Sequence, residues 1–276
     1  MLKSLEFSKI KNSVRSTRKN NNYKVLYLSD GSIAKVFTAS FLRRSKKNGL
    51  QLERRVLESE SIQIPELNLP TGIIYKNGKF CGYTIKQISG KTYAELVEDI
   101  SDLGEIATLI KKLEEVIKKG NEQGIVFPNI NLDTIIKLPN DEICLTDFDE
   151  IQYKDMQALK LSDLVKSEVL GAKYMQDDTL FTPEIDKLSI ILLYLKVACG
   201  IDLIEYIKKS SNNRMKKHII TDLLLELGIS EELFARRVLN LFEDDIENYF
   251  VGDDLIRIAN KYQLVEDGIS KKFRRK

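Results

Sequence analysis

The chain is poor in the residues that carry most enzyme chemistry. It has no tryptophan, five prolines, three cysteines and a single histidine in 276 residues. That histidine, His218, follows Lys216 and Lys217. A Ser-His-Asp or Cys-His nucleophile would have to be built on it, and no motif points there. Cys81, Cys144 and Cys199 are far apart within apolar stretches and form no CxxC pair. Neither a zinc site nor a disulfide framework is suggested, and a reduced, cytoplasmic setting fits best. Long hydrophobic runs are missing too. The longest, Ile190 to Leu195, is too short to span a bilayer and ends at Lys196. No secretory signal pattern opens the chain. Glycine is absent between Leu5 and Tyr23, so no glycine-rich loop there brings backbone close to a phosphate.

What is present describes a globular protein. Apolar residues make up 43% and charged residues 30%, enough to bury a full core in one large domain or two lobes. The net charge of +2 conceals basic ends. The first 24 residues hold seven basic side chains against Glu6 alone, and residues 271–276 read KKFRRK. Such ends read mainly as solvated tails, and secondarily as a nucleic-acid or membrane-surface attraction.

Residues 23–28 and 33–37 alternate as strands around Ser29-Asp30-Gly31-Ser32, a turn signal, and place Lys35 mid-strand. Residues 41–60 read as one helix with Leu50, Glu53, Val56 and Leu57 on a shared face. Gly72 to Lys76 and Phe80 to Ile88 form a second hairpin across Asn77-Gly78. From Thr92 the pattern turns helical. Tyr93 to Asp99 makes a short helix, and Asp102 to Gln123 a long one whose stripe includes Ile106, Leu109, Leu113 and Val116. Gly124 closes it. Thr134 to Lys137 and Glu142 to Thr146 are strands around Pro139-Asn140-Asp141, residues 153–182 are irregular, and Asp186 to Cys199 is an apolar helix. Three or four amphipathic helices follow over 202–262. No internal repeat is evident.

The chain is organised around Ile143 to Gln152, ICLTDFDEIQ. A short apolar strand delivers Asp147 to its end, and Phe148 and Asp149 follow. An acid there ordinarily caps a turn. It gains meaning from the residues before it: a strand lysine, a helix glutamate and a loop preceding this strand, in one order. Together they resemble the protein kinase-like superfamily in a divergent bacterial Ser/Thr form. Ile33-Ala34-Lys35-Val36-Phe37 is similar to the strand of the phosphate-binding lysine, and Glu53 to its helix partner. Gly124 to Ile136 resembles the catalytic loop, Asp147-Phe148-Asp149 the D-F-G motif, and Thr182-Pro183-Glu184 the A-P-E segment. Asp186 to Leu195 resembles the buried helix that braces the catalytic loop.

The resemblance implies an α+β, bilobal kinase-like fold. A small antiparallel-sheet lobe with one helix spans 23–88 and a helical lobe 89–265, flanked by a basic extension (1–22) and a basic tail (266–276). It implies ATP and magnesium as ligands. Lys35, held by Glu53, would face the phosphates. Asp147 and Thr134 would take the metal, and Ile33, Ile85, Lys86 and Ile88 would border the adenine. Thr179 or Thr182 would be the place of a regulatory phosphate.

The departures are equally specific. Where the family reads H-R-D-x-x-x-x-N, this chain reads Phe127-Pro128-Asn129 through Ile136. Asn129 replaces the base aspartate, and a neutral amide takes no proton. Thr134 replaces the second metal ligand, and Asp133 stands one place away. Ile33 replaces a small alanine and narrows the adenine pocket. Arg15, Arg18 and Lys19 offer side chains where the family offers glycine backbone. Three readings follow. The first is a pseudokinase that binds ATP weakly and acts through a protein partner. The second is a divergent active kinase acting on a protein Ser/Thr or a small-molecule hydroxyl, with Asp133 or Asp149 replacing the lost acid. The third is a nucleic-acid or membrane-surface adaptor using the basic ends, disfavoured because no aromatic platform accompanies them.

Overall fold

A computed structural model of the chain describes residues 2–96, 103–159 and 180–199. In order, these form β1 (Lys3–Glu6), α1 (Phe7–Lys11), β2 (Val14–Lys19), β3 (Tyr23–Leu28), β4 (Ser32–Phe37), α2 (Ala39–Lys47), α3 (Leu52–Glu58), β5 (Pro70–Lys76) and β6 (Lys79–Lys86). Then come β7 (Lys91–Thr92), α4 (Tyr93–Leu96), α5 (Leu103–Glu122), β8 (Ile125–Val126), β9 (Ile135–Lys137), β10 (Ile143–Leu145), β11 (Gln152–Tyr153) and α6 (Glu184–Cys199). The architecture is mixed α+β. Two compact units divide the described residues: 2–91 with 136–159, and 92–96, 103–135 and 180–199.

The first unit is built on a six-stranded sheet of order β1-β5-β6-β4-β3-β2. All neighbours are antiparallel except β1, which lies parallel to β5. The hairpin turns follow from local chemistry. Asp30 caps the β3–β4 turn, accepting from the Ser32 amide at 2.9 Å and hydroxyl at 2.7 Å, bonds that hold its carboxyl below the ordinary range. Asn77 and Gly78 both take positive φ (51° and 71°) between β5 and β6, the geometry that favours an Asn-Gly pair. On one sheet face, Leu26, Leu28, Ala34, Val36, Ile74 and Cys81 bury against Ile10 of α1. Alternation sends Ile33, Lys35 and Phe37 to the other face. On β6, Gly82 leaves room for β4: a Cβ there would come within 2.1 Å of the Lys35 carbonyl oxygen.

Two expectations change here. Residues 3–19 are no extension outside the sheet, since they supply its two outermost strands and α1. Lys3 on β1 and Arg15, Arg18 and Lys19 on β2 put bases on the edge strands, a common way of keeping edges from pairing further. Residues 136–159, expected in the helical lobe, belong with the sheet unit.

The single helix expected over 41–60 is two. Thr38 caps α2, accepting from Phe41 N at 3.3 Å, and Gly49 at φ 72° stops it. The restart at Leu52 changes the helical phase. Leu52, Arg55 and Val56 are buried, while Leu57 is 47% exposed and Glu53 is exposed.

In the second unit α5 buries Ile106, Leu109, Ile110, Leu113, Val116 and Ile117 and packs on α6. That stripe is the one its sequence period requires. No helix among the described residues is long and apolar enough to cross a membrane. The helices expected over 202–262, the basic tail and Thr179 lie outside the described residues.

Candidate functional site

In the first unit the site begins at Lys35. The sheet register sets Lys35 opposite Tyr83 on β6 and Val25 on β3, so the lysine and the tyrosine project from one face, side by side. Lys35 is buried, and its Nζ lies 4.2 Å from the centre of the Tyr23 ring.

Asp147 arrives from a strand docked on a different part of the unit. Leu145 donates to Glu66 O at 2.7 Å and accepts from Asn68 N at 2.9 Å, a parallel bridge that fixes the end of β10. Asp147 then takes the left-handed conformation (φ 61°, ψ 56°). For a non-glycine residue this costs about 1–2 kcal/mol. A tight 3-10 turn over Phe148–Glu150 follows, closed by Glu150 N to Asp147 O at 2.7 Å. This reversal brings two carboxylates to one amine. Asp149 pairs with Lys35 directly, and Asp147 lies 3.8 Å from it.

The two acids differ in burial: the Asp149 side chain is 7% exposed and that of Asp147 45%. Asp149 also accepts from the Tyr83 hydroxyl at 2.6 Å. Phe148, between the acids in sequence, buries edge-on against the Tyr83 ring with centroids 6.2 Å apart. Burial opposes the charge on Lys35, but Asp149 first and Asp147 second hold its amine above the ordinary lysine value. Burial, reinforced by Asp149, raises the Tyr83 phenol well above its usual range, so it stays a donor.

Glu53 does not pair with Lys35. It accepts from the Tyr75 hydroxyl at 3.0 Å on an exposed face. The residue that α3 turns inward is Arg55, which donates to Ile151 O at 2.5 Å, to Met156 O at 3.0 Å and to Gln157 O. Burial lowers its guanidinium to about 10, and the carbonyl dipoles receive it in place of a salt-bridging carboxylate. The chain just beyond Asp149 is thus tied to α3. On the rim, Glu58 accepts from Arg54 at 2.5 Å and Lys154 at 3.0 Å, exposed pairs that contribute little.

Ile33 and Ile85 are register partners on β4 and β6, half-buried beside one another. Lys86 is exposed, its carbonyl accepting from Asn68 Nδ2 at 3.0 Å, and Ile88 is half-buried just beyond. The four residues expected to border an adenine therefore share one end of the β4–β6 pair.

In the second unit, Asn129 and Thr134 are buried and Asp133 is exposed. Asn131 organises this loop. Its Nδ2 donates to Asn129 O at 3.0 Å, its Oδ1 accepts from Asp133 N at 3.1 Å, and its carbonyl accepts from the Thr134 hydroxyl at 2.9 Å. Asp186 on α6 is fully buried and accepts from Phe127 N at 2.7 Å, which anchors the loop's start. Burial raises the Asp186 carboxyl well above its ordinary value, and the Phe127 bond only partly offsets this.

Magnesium takes hard oxygen ligands and keeps several waters and phosphate oxygens around one or two carboxylates. The half-exposed Asp147 carboxylate, beside the Lys35 ammonium, fits that minimal role. Asp149, spent on Lys35 and Tyr83, does not. Among the described residues no group of three or more His, Cys, Asp or Glu side chains forms a metal site of its own, so the ligand would have to bring the rest of the shell.

The sequence pattern missed Tyr83, Arg55, Asn131 and the pairing role of Asp149. Strand register alone could have put Tyr83 beside Lys35, but register is not written in a single strand. No family model matches the chain, and no curated protein matches it either.

Proposed function

We propose that this chain is a protein kinase-like domain of the pseudokinase kind, which holds ATP with magnesium weakly and acts by binding a protein partner. The observation that carries the reading is the convergence of Lys35 and Asp147, 112 positions apart, within 3.8 Å. One offers a point charge for phosphates and the other a metal-binding carboxylate. Phosphoryl transfer and nucleotide binding both rest on such positioning and charge neutralisation.

Two further features support it. The antiparallel strands β2 to β6, with α3 between β4 and β5, suit the small lobe of such a domain. The Asp186 carboxylate on the Phe127 amide is the kind of bracing expected between a catalytic loop and a buried helix.

The loss of transfer activity rests on Asn129. Its amide has no carboxylate to accept a proton from an incoming hydroxyl. Ile33 and Ile85 would close on the adenine from the β4–β6 face, and Asp147 would hold magnesium across the phosphates beside Lys35. Bound magnesium would supply charge neutralisation. Lys35 would orient the phosphates, and a loop with Asn129 in place of an acid would supply no base.

ATP with magnesium should raise the melting temperature of the purified protein, and Lys35→Ala and Asp147→Ala should each cut the rise well below that of wild type. Robust magnesium-dependent ATP turnover, lost in Asp147→Asn, would overturn the pseudokinase assignment and leave an active kinase. No thermal shift at millimolar ATP and magnesium would remove the nucleotide altogether.

A further inference from the structure

We infer that Asp149 is the positioning residue for Lys35, and that Glu53 has no part in setting the lysine. This rests on the nucleotide-binding reading above and deepens it. Four observations in the first unit carry it. Asp149 pairs with Lys35 while Glu53 bonds to Tyr75 on an exposed face. Tyr83, the register neighbour of Lys35, donates to the second oxygen of Asp149 at 2.6 Å and fixes that carboxylate from below. Phe148 packs on the Tyr83 ring and immobilises the turn between the two acids. Beyond Asp149, Arg55 grips the carbonyls of residues 151, 156 and 157, so α3 holds this turn by its cation and not by a carboxylate.

The consequence concerns how the lysine is readied. A partner on a helix can be withdrawn when the helix swings. A partner two residues after Asp147 moves with the metal-binding acid itself. Two carboxylates, Asp147 and Asp149, stand beside the Lys35 amine, so a polyphosphate reaching that amine also meets acid oxygens that a divalent cation would screen.

Calorimetric titration of the full chain with ATP and magnesium tests this, on wild type and on Asp149→Asn, Asp149→Glu, Glu53→Gln, Lys35→Met and the double variant Lys35→Met/Asp149→Asn. Asp149→Asn is expected to weaken binding about tenfold and Asp149→Glu to recover part of the loss. Glu53→Gln should bind as wild type does. In the Lys35→Met background, Asp149→Asn should add nothing, whereas a merely structural role would weaken both backgrounds equally. Tyr83→Phe, which keeps the ring, gives a second reading if Asp149→Asn does not fold: a loss of about threefold is expected. Unchanged or tighter binding by Asp149→Asn, or by Tyr83→Phe where it stands in, overturns the inference, as does a loss in Glu53→Gln. Wild type that binds no nucleotide would instead overturn the function reading, and this inference with it.

Discussion

The two units treat their polar residues in opposite ways. In the sheet unit the candidate site is made of full charges, Lys35, Asp147, Asp149 and Arg55, mostly buried and each given a partner. In the second unit the loop that resembles a catalytic loop is made of amides and a hydroxyl, Asn129, Asn131 and Thr134, and the Asn131 amide and Thr134 hydroxyl bond to its backbone. Among the described residues of that unit the buried charge-bearing group is Asp186, which is spent on holding the Phe127 amide. Buried charges are costly and persist where a function or a network requires them. The sheet unit carries that cost at Lys35 and Asp149, and the Asn129 loop of the second unit does not. A domain that binds without transferring would show this asymmetry.

Breaking the contrast should be most visible at Arg55. Arg55→Leu removes a buried cation serving three carbonyls and should lower the unfolding free energy by about 3–5 kcal/mol, read by chemical denaturation. Next is the anchor of the second unit. Asp186→Ala orphans the buried Phe127 amide and should cost roughly 1–3 kcal/mol. Asp186→Asn keeps an acceptor and sharpens the point through pH. Because burial raises the folded-state pKa of Asp186 above its unfolded value, protonation favours the folded chain. Its contribution is therefore fully present below the unfolded value and lost as pH rises through the folded one. Asparagine escapes this loss. The stability of Asp186→Asn relative to wild type should grow from about pH 4 to about pH 7, measured by paired melts. A gap that stays constant would mean the carboxyl is not neutral-favouring where it sits.

Smaller effects test the exposed members. Glu53→Gln should change stability by no more than about 0.5 kcal/mol, since its only bond among the described contacts is a surface one to Tyr75. Smallest of all, Cys81 and Cys144, buried thiols pushed up to about 11 chiefly by burial, should resist alkylation in the native protein and react once it is denatured. Mass spectrometry after iodoacetamide treatment reads this directly.

Much of the fold could be read from the chain. The β3–β4 and β5–β6 hairpins follow from Asp30-Gly31 and Asn77-Gly78 between alternating runs, and α5 from its apolar stripe. Asp147 stands just past β10, as a short apolar strand followed by an acid suggests locally. Glu53 faces solvent because the helix expected over 41–60 is not continuous. Gly49 breaks it, and a restart of a few residues rotates each side chain onto a new face. Residues 1–22 resemble a tail in sequence because β1 and β2 are edge strands with polar faces, and nothing local separates these from solvated chain.

The sequence by itself determined which residues can turn, pack or carry charge: where glycine permits a positive φ, which stripe of α5 is apolar, and that position 129 holds an amide instead of an acid. These depend on side-chain chemistry and near neighbours. Only the tertiary structure decided which charge meets which. Lys35 found Asp149 and not Glu53 because strand register, the docking of β10 and the left-handed turn at Asp147 act over a hundred residues of chain. Coulombic and hydrogen-bond energies depend on distances in space, and spacing along the sequence does not fix those.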